Sequence, residues 1–93
     1  MINYVIHAKE WHDKRNGNSY HSVRILKNDI HLLIASPFTY GYGSQFLQSA
    51  RERMIKQGWI QKDILMSEIT KQSYDVIETD CKKKEVEEWG EER

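Results

Sequence analysis

This chain lacks most of the features that would tie it to a membrane, a disulfide framework or a polyanion. Cys81 is the one cysteine among 93 residues, so no internal disulfide can form and a reducing compartment is expected. No apolar run approaches the roughly 18 residues that span a bilayer. The polar N-terminal stretch, with Lys9 and Glu10, has no signal-peptide core, and the expected location is the cytoplasm. Neither sign of charge is in excess. Lys plus Arg and Asp plus Glu number 14 each, so nucleic acid or anionic lipid would have to be held by a local patch rather than by a global field. There are no repeats, low-complexity tracts or linkers. The length suits one domain, 1–93, with one small core and a frayed tail at 90–93. Hydrophobic residues make up a lean 39%, but aromatics at 11% supply bulky core material and argue against disorder.

What is present changes its apolar period once along the chain, from about two residues to about 3.6, and that predicts an α+β fold. Ile2 to Trp11, Tyr20 to Leu26 and Ile30 to Ala35 alternate as three strands of an antiparallel meander. Asn16-Gly17-Asn18 is the strongest turn signal, suited to a type I′ turn, and Asn28-Asp29 predicts a second hairpin. Pro37 cannot continue a central ladder, so the sheet is expected to end near Ser36 and a loop to run from Phe38 to Gly43. One main helix follows over residues 45–57, with Ser44 as N-cap and Phe46, Leu47, Ala50 and Met54 on one face. Gly58 is its left-handed C′ residue, and Trp59 packs back onto Met54. A short helix (63–70), a further strand (74–79) and a C-terminal helix (81–89) complete the reading. The last helix has Lys82, Lys83 and Lys84 at its positive end and Glu87 and Glu88 at its negative end. It therefore needs Val86 and Trp89 docked on the body.

Strand alternation places Tyr4, Ile6, Ala8, Val23, Ile25, Ile30, Leu32 and Ile34 on a core face under the main helix. The second face then carries Val5, His7, Lys9 and Trp11, with Tyr20, Ser22, Arg24 and Leu26, and with His31, Leu33 and Ala35. Either the C-terminal third covers it, or it is a binding surface or homodimer interface.

Three chemistries are open on these residues. Trp11 and Tyr20 suit stacking on unpaired bases while Lys9, Lys14, Arg15 and Arg24 meet phosphates, with Asn16 in the turn between them. A turn centred on Asn16-Gly17 sets His12 opposite His21, a pair that would seed a zinc site with Asp13 or Glu10. Gly41-Tyr42-Gly43-Ser44-Gln45 at a helix start resembles the Gly-x-Gly phosphate cradle of GCN5-related acetyltransferases, which implies a truncated enzyme of that type as one alternative. Lysines after Cys81 would lower its pKa, but no carboxylate pair or Ser/His/Asp set can be named as catalytic, and nothing calls for a cofactor.

A broader likeness joins the two conspicuous segments. Ala8-x-x-Trp11-x-Asp13-x-x-Asn16-Gly-Asn-Ser-Tyr20-x-Ser22-Val-Arg24, followed by Pro37-Phe-x-Tyr-Gly-Tyr-Gly43, resembles small proteins of phages and mobile elements whose activity is unknown. The resemblance implies a phage-type protein in a host cytoplasm, acting by binding as an inhibitor or adaptor. Its contact surfaces would be the Trp11–Arg24 hairpin and the Tyr40 to Gly43 loop with Tyr42. The partner would be a host protein, or else nucleic acid or a nucleotide.

Overall fold

Alternating apolar and polar residues build two ten-residue strands, β1 (Tyr4–Asp13) and β2 (Asn18–Lys27), in the computed structural model, which describes residues 2–91. Then come β3 (Leu32–Tyr40), α1 (Gln45–Gln57), α2 (Met66–Thr70), β4 (Ser73–Glu78) and α3 (Lys83–Trp89). The fold is α+β, as expected: an antiparallel β1-β2-β3 meander packs on one main helix. β4 adds to it in parallel beside β1, giving the order β3-β2-β1-β4. Against the first face lie Phe46, Ala50 and Met54 of α1 and Ile69 of α2, packed on Tyr4, Ile6, Ala8, Val23, Ile25 and Ile34.

Both hairpins are wider than the turn residues predict. The first closes through four residues, with Asp13 paired to Asn18 and the Gly17 amide donating to the Asp13 carbonyl at 2.8 Å. The Asp13 carboxylate accepts from the Arg15 amide and the Asn16 side chain, and Gly17 supplies the left-handed φ of +70°. These hydrogen bonds, the one from the Asn16 side chain foremost, hold the Asp13 carboxyl below its ordinary pKa. The second hairpin closes Lys27 on Leu32. Ile30 therefore falls in the loop at 54% exposure and Leu32 at the sheet margin at 43%, neither in the core face where alternation had put them. His31 is likewise a turn residue, with φ +51°.

Pro37 does not end the sheet. β3 is an edge strand, so a missing amide costs no central ladder bond. The register also shifts there: His21 pairs with Thr39 and Val23 with Ser36, so Pro37 and Phe38 together oppose Ser22 as a bulge. The strand resumes and runs to Tyr40, where a loop had been expected from Phe38.

α1 starts and stops as predicted, but Ser44 caps it by position only. The Gln45 side chain accepts the Tyr42 amide at 2.8 Å instead. At the other end Gly58 (φ +85°) donates to Ile55 and Trp59 donates to Met54, the Schellman pattern. Trp59 stacks on Tyr4 with ring centres 6.2 Å apart.

α3 lies on the second sheet face. Val86 is fully buried, and the Ser22 hydroxyl donates to its carbonyl. Gly90, expected to begin a frayed tail, is buried instead: a Cβ there would stand 2.9 Å from the Pro37 Cα and 3.0 Å from the Ser22 Cβ. Residues 92 and 93 lie outside the described residues.

Candidate functional site

Because α3 has seven residues and β1 and β2 have ten each, the helix covers only the middle of the second face. The two ends stay open, and they differ in chemistry.

The covered middle is cationic. Trp89 sits among three basic side chains: Arg24 is 4.1 Å and Lys9 is 4.5 Å from its ring centre, and the His7 ring meets it edge-on at 4.8 Å. The indole N–H donates to the His7 carbonyl at 2.7 Å. Arg24 also donates to the carbonyls of Trp89 (3.0 Å) and Glu88 (3.3 Å), where a cation balances the negative end of the helix dipole. Glu78 of β4 accepts from His7 at 2.9 Å and lies 3.7 Å from the Lys9 ammonium. That hydrogen bond, helped by Lys9, holds the Glu78 carboxyl below its ordinary value. Lys9 and Arg24 are thus brought together, but by Trp89, and Arg24 has its guanidinium turned to α3 rather than to solvent phosphate.

At the hairpin end the strands raise an aromatic cluster. Trp11 stacks on Tyr20 at 5.6 Å, Tyr20 stacks on Phe38 at 5.0 Å, and Tyr40 meets Tyr20 edge-on at 5.6 Å. The β3 bulge puts Phe38 on this face, and for that reason alternation read from residues 30–35 misses it. Tyr20 spends its ring on neighbours, whereas Tyr40 and Tyr42 are mostly exposed.

Beside the cluster a cleft of about 560 Å³ is lined by Trp11, His12, Lys14, Asp80, Cys81, Lys82 and Lys83. The Cys81 amide donates to the Glu10 carbonyl at 3.0 Å, and Asp80 adopts a left-handed φ of +60°, so the β4–α3 loop folds back against β1. The Lys82 amide donates to the Glu85 carboxylate at 3.2 Å, which ties the start of α3. Cys81 departs from expectation: burial, with Glu85 and Glu78 nearby, pushes its thiol up despite the lysines that follow. Arg15 and Asn16 remain in the exposed turn. Comparison with protein-family models, curated proteins and solved structures finds no match to this chain.

The histidine pair does not form. The four-residue turn sets His12 across from Ser19, to which its Nδ1 is bonded at 2.9 Å, and sets His21 across from Glu10. His21 is buried, with Nδ1 3.1 Å from the Gly41 carbonyl and Nε2 2.7 Å from the Ser49 hydroxyl. Since a carbonyl only accepts, Nδ1 carries the proton and the Ser49 hydroxyl donates to Nε2 in the neutral ring. Among the described residues no three His, Cys, Asp or Glu side chains converge as a metal site.

The glycine loop serves the same histidine. A Cβ on Gly41 would meet the His21 ring and the Gln45 side chain at 2.8 Å each. The Tyr42 amide, which a phosphate cradle would need free, is bonded to Gln45.

At the far end of the sheet, Val5, Leu26 and Leu33 form an apolar floor with Tyr74 of β4 beside Val5. Leu33 is 52% and Tyr74 61% exposed. A hollow of about 180 Å³ opens here, lined by Val5, His7, Arg24, Leu26, Leu33 and Trp89. Tyr74 and Trp89 lie beyond the meander in sequence. Alternation points to Val5, Leu26 and Leu33 on this face and the demand of the last helix for docking points to Trp89, but nothing in the sequence points to Tyr74.

Proposed function

We propose that this chain acts by binding another protein, as an inhibitor or adaptor, through the apolar end of the second sheet face. The observation that carries the reading is the row of exposed Leu33, half-buried Leu26 and Val5, and exposed Tyr74, left open where α3 stops. Water-exposed apolar side chains gathered on one rigid sheet are what a partner's side chains desolvate with gain. Tyr74, Trp89 and Arg24 at its margin belong to the residue types that carry most binding energy at interfaces. The hollow gives one apolar side chain of the partner a seat against Leu26 and Leu33. The phage-type resemblance of the hairpin and loop supports a host cytoplasmic protein as that partner.

Leu33→Asp puts a charge at the exposed β3 edge of the patch, beside Leu26, without touching the buried core. The test is quantitative affinity capture from host extract by wild type and by this variant, with sedimentation of the purified protein at matched concentrations. A partner retained by wild type and lost by the variant, with the free chain monomeric, is the expected result. Identical recovery by both proteins would overturn the reading, as would a wild-type homodimer that Leu33→Asp dissociates.

A further inference from the structure

A second site stands at the opposite end of the same sheet face. We infer that the cleft between the β1–β2 hairpin and the β4–α3 loop binds a nucleotide, its base against Trp11 and its phosphate among Lys14, Lys82 and Lys83. The cleft volume of about 560 Å³ lies within the ~300–1,000 Å³ of small-ligand sites. Its lining holds three lysines and His12 against one carboxylate, Asp80. Among the described residues, no carboxylate lies within ion-pair distance of any of the three ammonium groups; the ion pairs present are those of His7 and Lys9 with Glu78. Lys83 instead rests over the Trp11 ring, 5.6 Å from its centre.

An indole with an ammonium over it, beside two further unpaired ammonium groups, is complementary to a ligand that combines a flat π-system with a polyanion. An acidic peptide would satisfy the lysines and leave the indole uncovered. The scaffold is set before binding. Tyr20 and Phe38 fix Trp11 from the sheet side, and the Cys81-to-Glu10 hydrogen bond and the turned backbone at Asp80 hold the lysine-bearing loop against β1. Since free nucleotides and the ends of single strands share this chemistry, both are probed.

The test follows the Trp11 indole N–H signal by NMR, with calorimetry, on titration with adenosine 5′-monophosphate, adenosine, inorganic phosphate, a short 5′-phosphorylated oligothymidylate and an oligoglutamate peptide. Adenosine monophosphate is expected to shift the Trp11 signal saturably. Adenosine and phosphate are each expected to bind at least ten-fold more weakly, and raised salt to weaken binding. The double variant Lys14→Gln/Lys82→Gln, at exposed positions whose loss leaves the core intact, is expected to lose at least ten-fold in affinity while adenosine binding persists. Tighter binding of the oligonucleotide would assign the site to strand ends, and equal binding to free nucleotides. No shift at millimolar nucleotide, unchanged affinity in the double variant, or equal binding of phosphate or oligoglutamate would overturn the inference. None of these outcomes touches the Leu33 patch.

Discussion

Replacing Trp89 by alanine is the most direct test of what holds α3 to the sheet. A seven-residue helix is far below the length at which a helix sustains itself in water, so its persistence depends on docking. The indole supplies three separable contributions. Its N–H bond to the His7 carbonyl at 2.7 Å is worth about 1 kcal/mol net. Stacking with Arg24 and Lys9, 4.1 and 4.5 Å from the ring centre, adds about 0.5–1 kcal/mol each at a half-buried position. Apolar burial of about half a tryptophan, roughly 100 Å², adds about 2.5 kcal/mol. The sum, about 4.5–5.5 kcal/mol, is an upper figure, because Arg24 and Lys9 regain water when the ring is gone. Trp89→Ala is therefore expected to lower stability by about 2–4 kcal/mol in urea titration followed by circular dichroism. Amides from Val86 to Gly90 should lose hydrogen-exchange protection while β1 to β3 keep theirs. Trp89→Phe keeps a ring for the cations but no N–H, and should lose about 1–2 kcal/mol. A loss below ~1 kcal/mol in Trp89→Ala, with α3 amides still protected, would refute the docking argument.

Three further outcomes follow from single contacts. Gly90→Ala drives a Cβ to 2.9 Å from the Pro37 backbone and is expected to destabilise by about 1–3 kcal/mol in thermal melts, whereas Gly17→Ala meets open space and should show only the ~1 kcal/mol strain of its left-handed φ. Cys81, with its thiol pushed up by burial, is expected to alkylate more slowly at pH 8 in the folded chain than in urea; equal rates would contradict it. Glu78 has a folded pKa below its unfolded one, so its contribution to stability is present above the ordinary glutamate value and is lost as pH falls through the depressed one. An NMR titration should give a midpoint below that of a free glutamate in wild type and a near-normal one in His7→Ala.

The parts of the fold legible in the sequence are those set by neighbours in the chain. The 45–57 helix, its Gly58 stop and the Trp59 return all follow from local spacing. Six residues of the core face, Tyr4, Ile6, Ala8, Val23, Ile25 and Ile34, follow from alternation. The failures have specific causes. Asn16-Gly17 suits a two-residue turn, but Asp13 offers a carboxylate that captures the Arg15 amide and the Asn16 side chain, so the loop widens to four residues and His12 moves away from His21. Pro37 reads as a stop only if β3 is central, and edge position is a tertiary fact. The bulge it occupies then reverses the facing of Phe38 relative to simple alternation. The pairing of β4 with β1 joins residues about 70 apart, beyond any local signal. For the same reason Trp11 and Tyr20, paired within the hairpin, do meet, whereas the side chains that rest on Trp11, Lys9 and Arg24, namely Lys83 and Trp89, come from the other end of the chain.

Geometry also determines how the two proposed surfaces relate. At ~3.3 Å per residue, the six steps from Val5 to Trp11 along β1 span about 20 Å, while α3 at ~1.5 Å per residue extends about 10 Å and runs from Lys83 near Trp11 to Trp89 near His7. Besides β1, β2 and β3, each of which runs through both ends, α3 reaches from one end to the other. Sites this far apart without shared partners behave additively, so the Lys14→Gln/Lys82→Gln change should leave partner capture at Leu33 unaltered, and Leu33→Asp should leave nucleotide affinity unaltered. If either affects the other by more than about two-fold, the coupling travels through α3 or through the strands beneath it. Trp89→Ala, which releases the helix and removes one wall of the hollow, should abolish a coupling carried by α3, with both affinities compared within the Trp89→Ala background. Coupling that survives Trp89→Ala would mean that the sheet itself, and not the helix, connects the two ends.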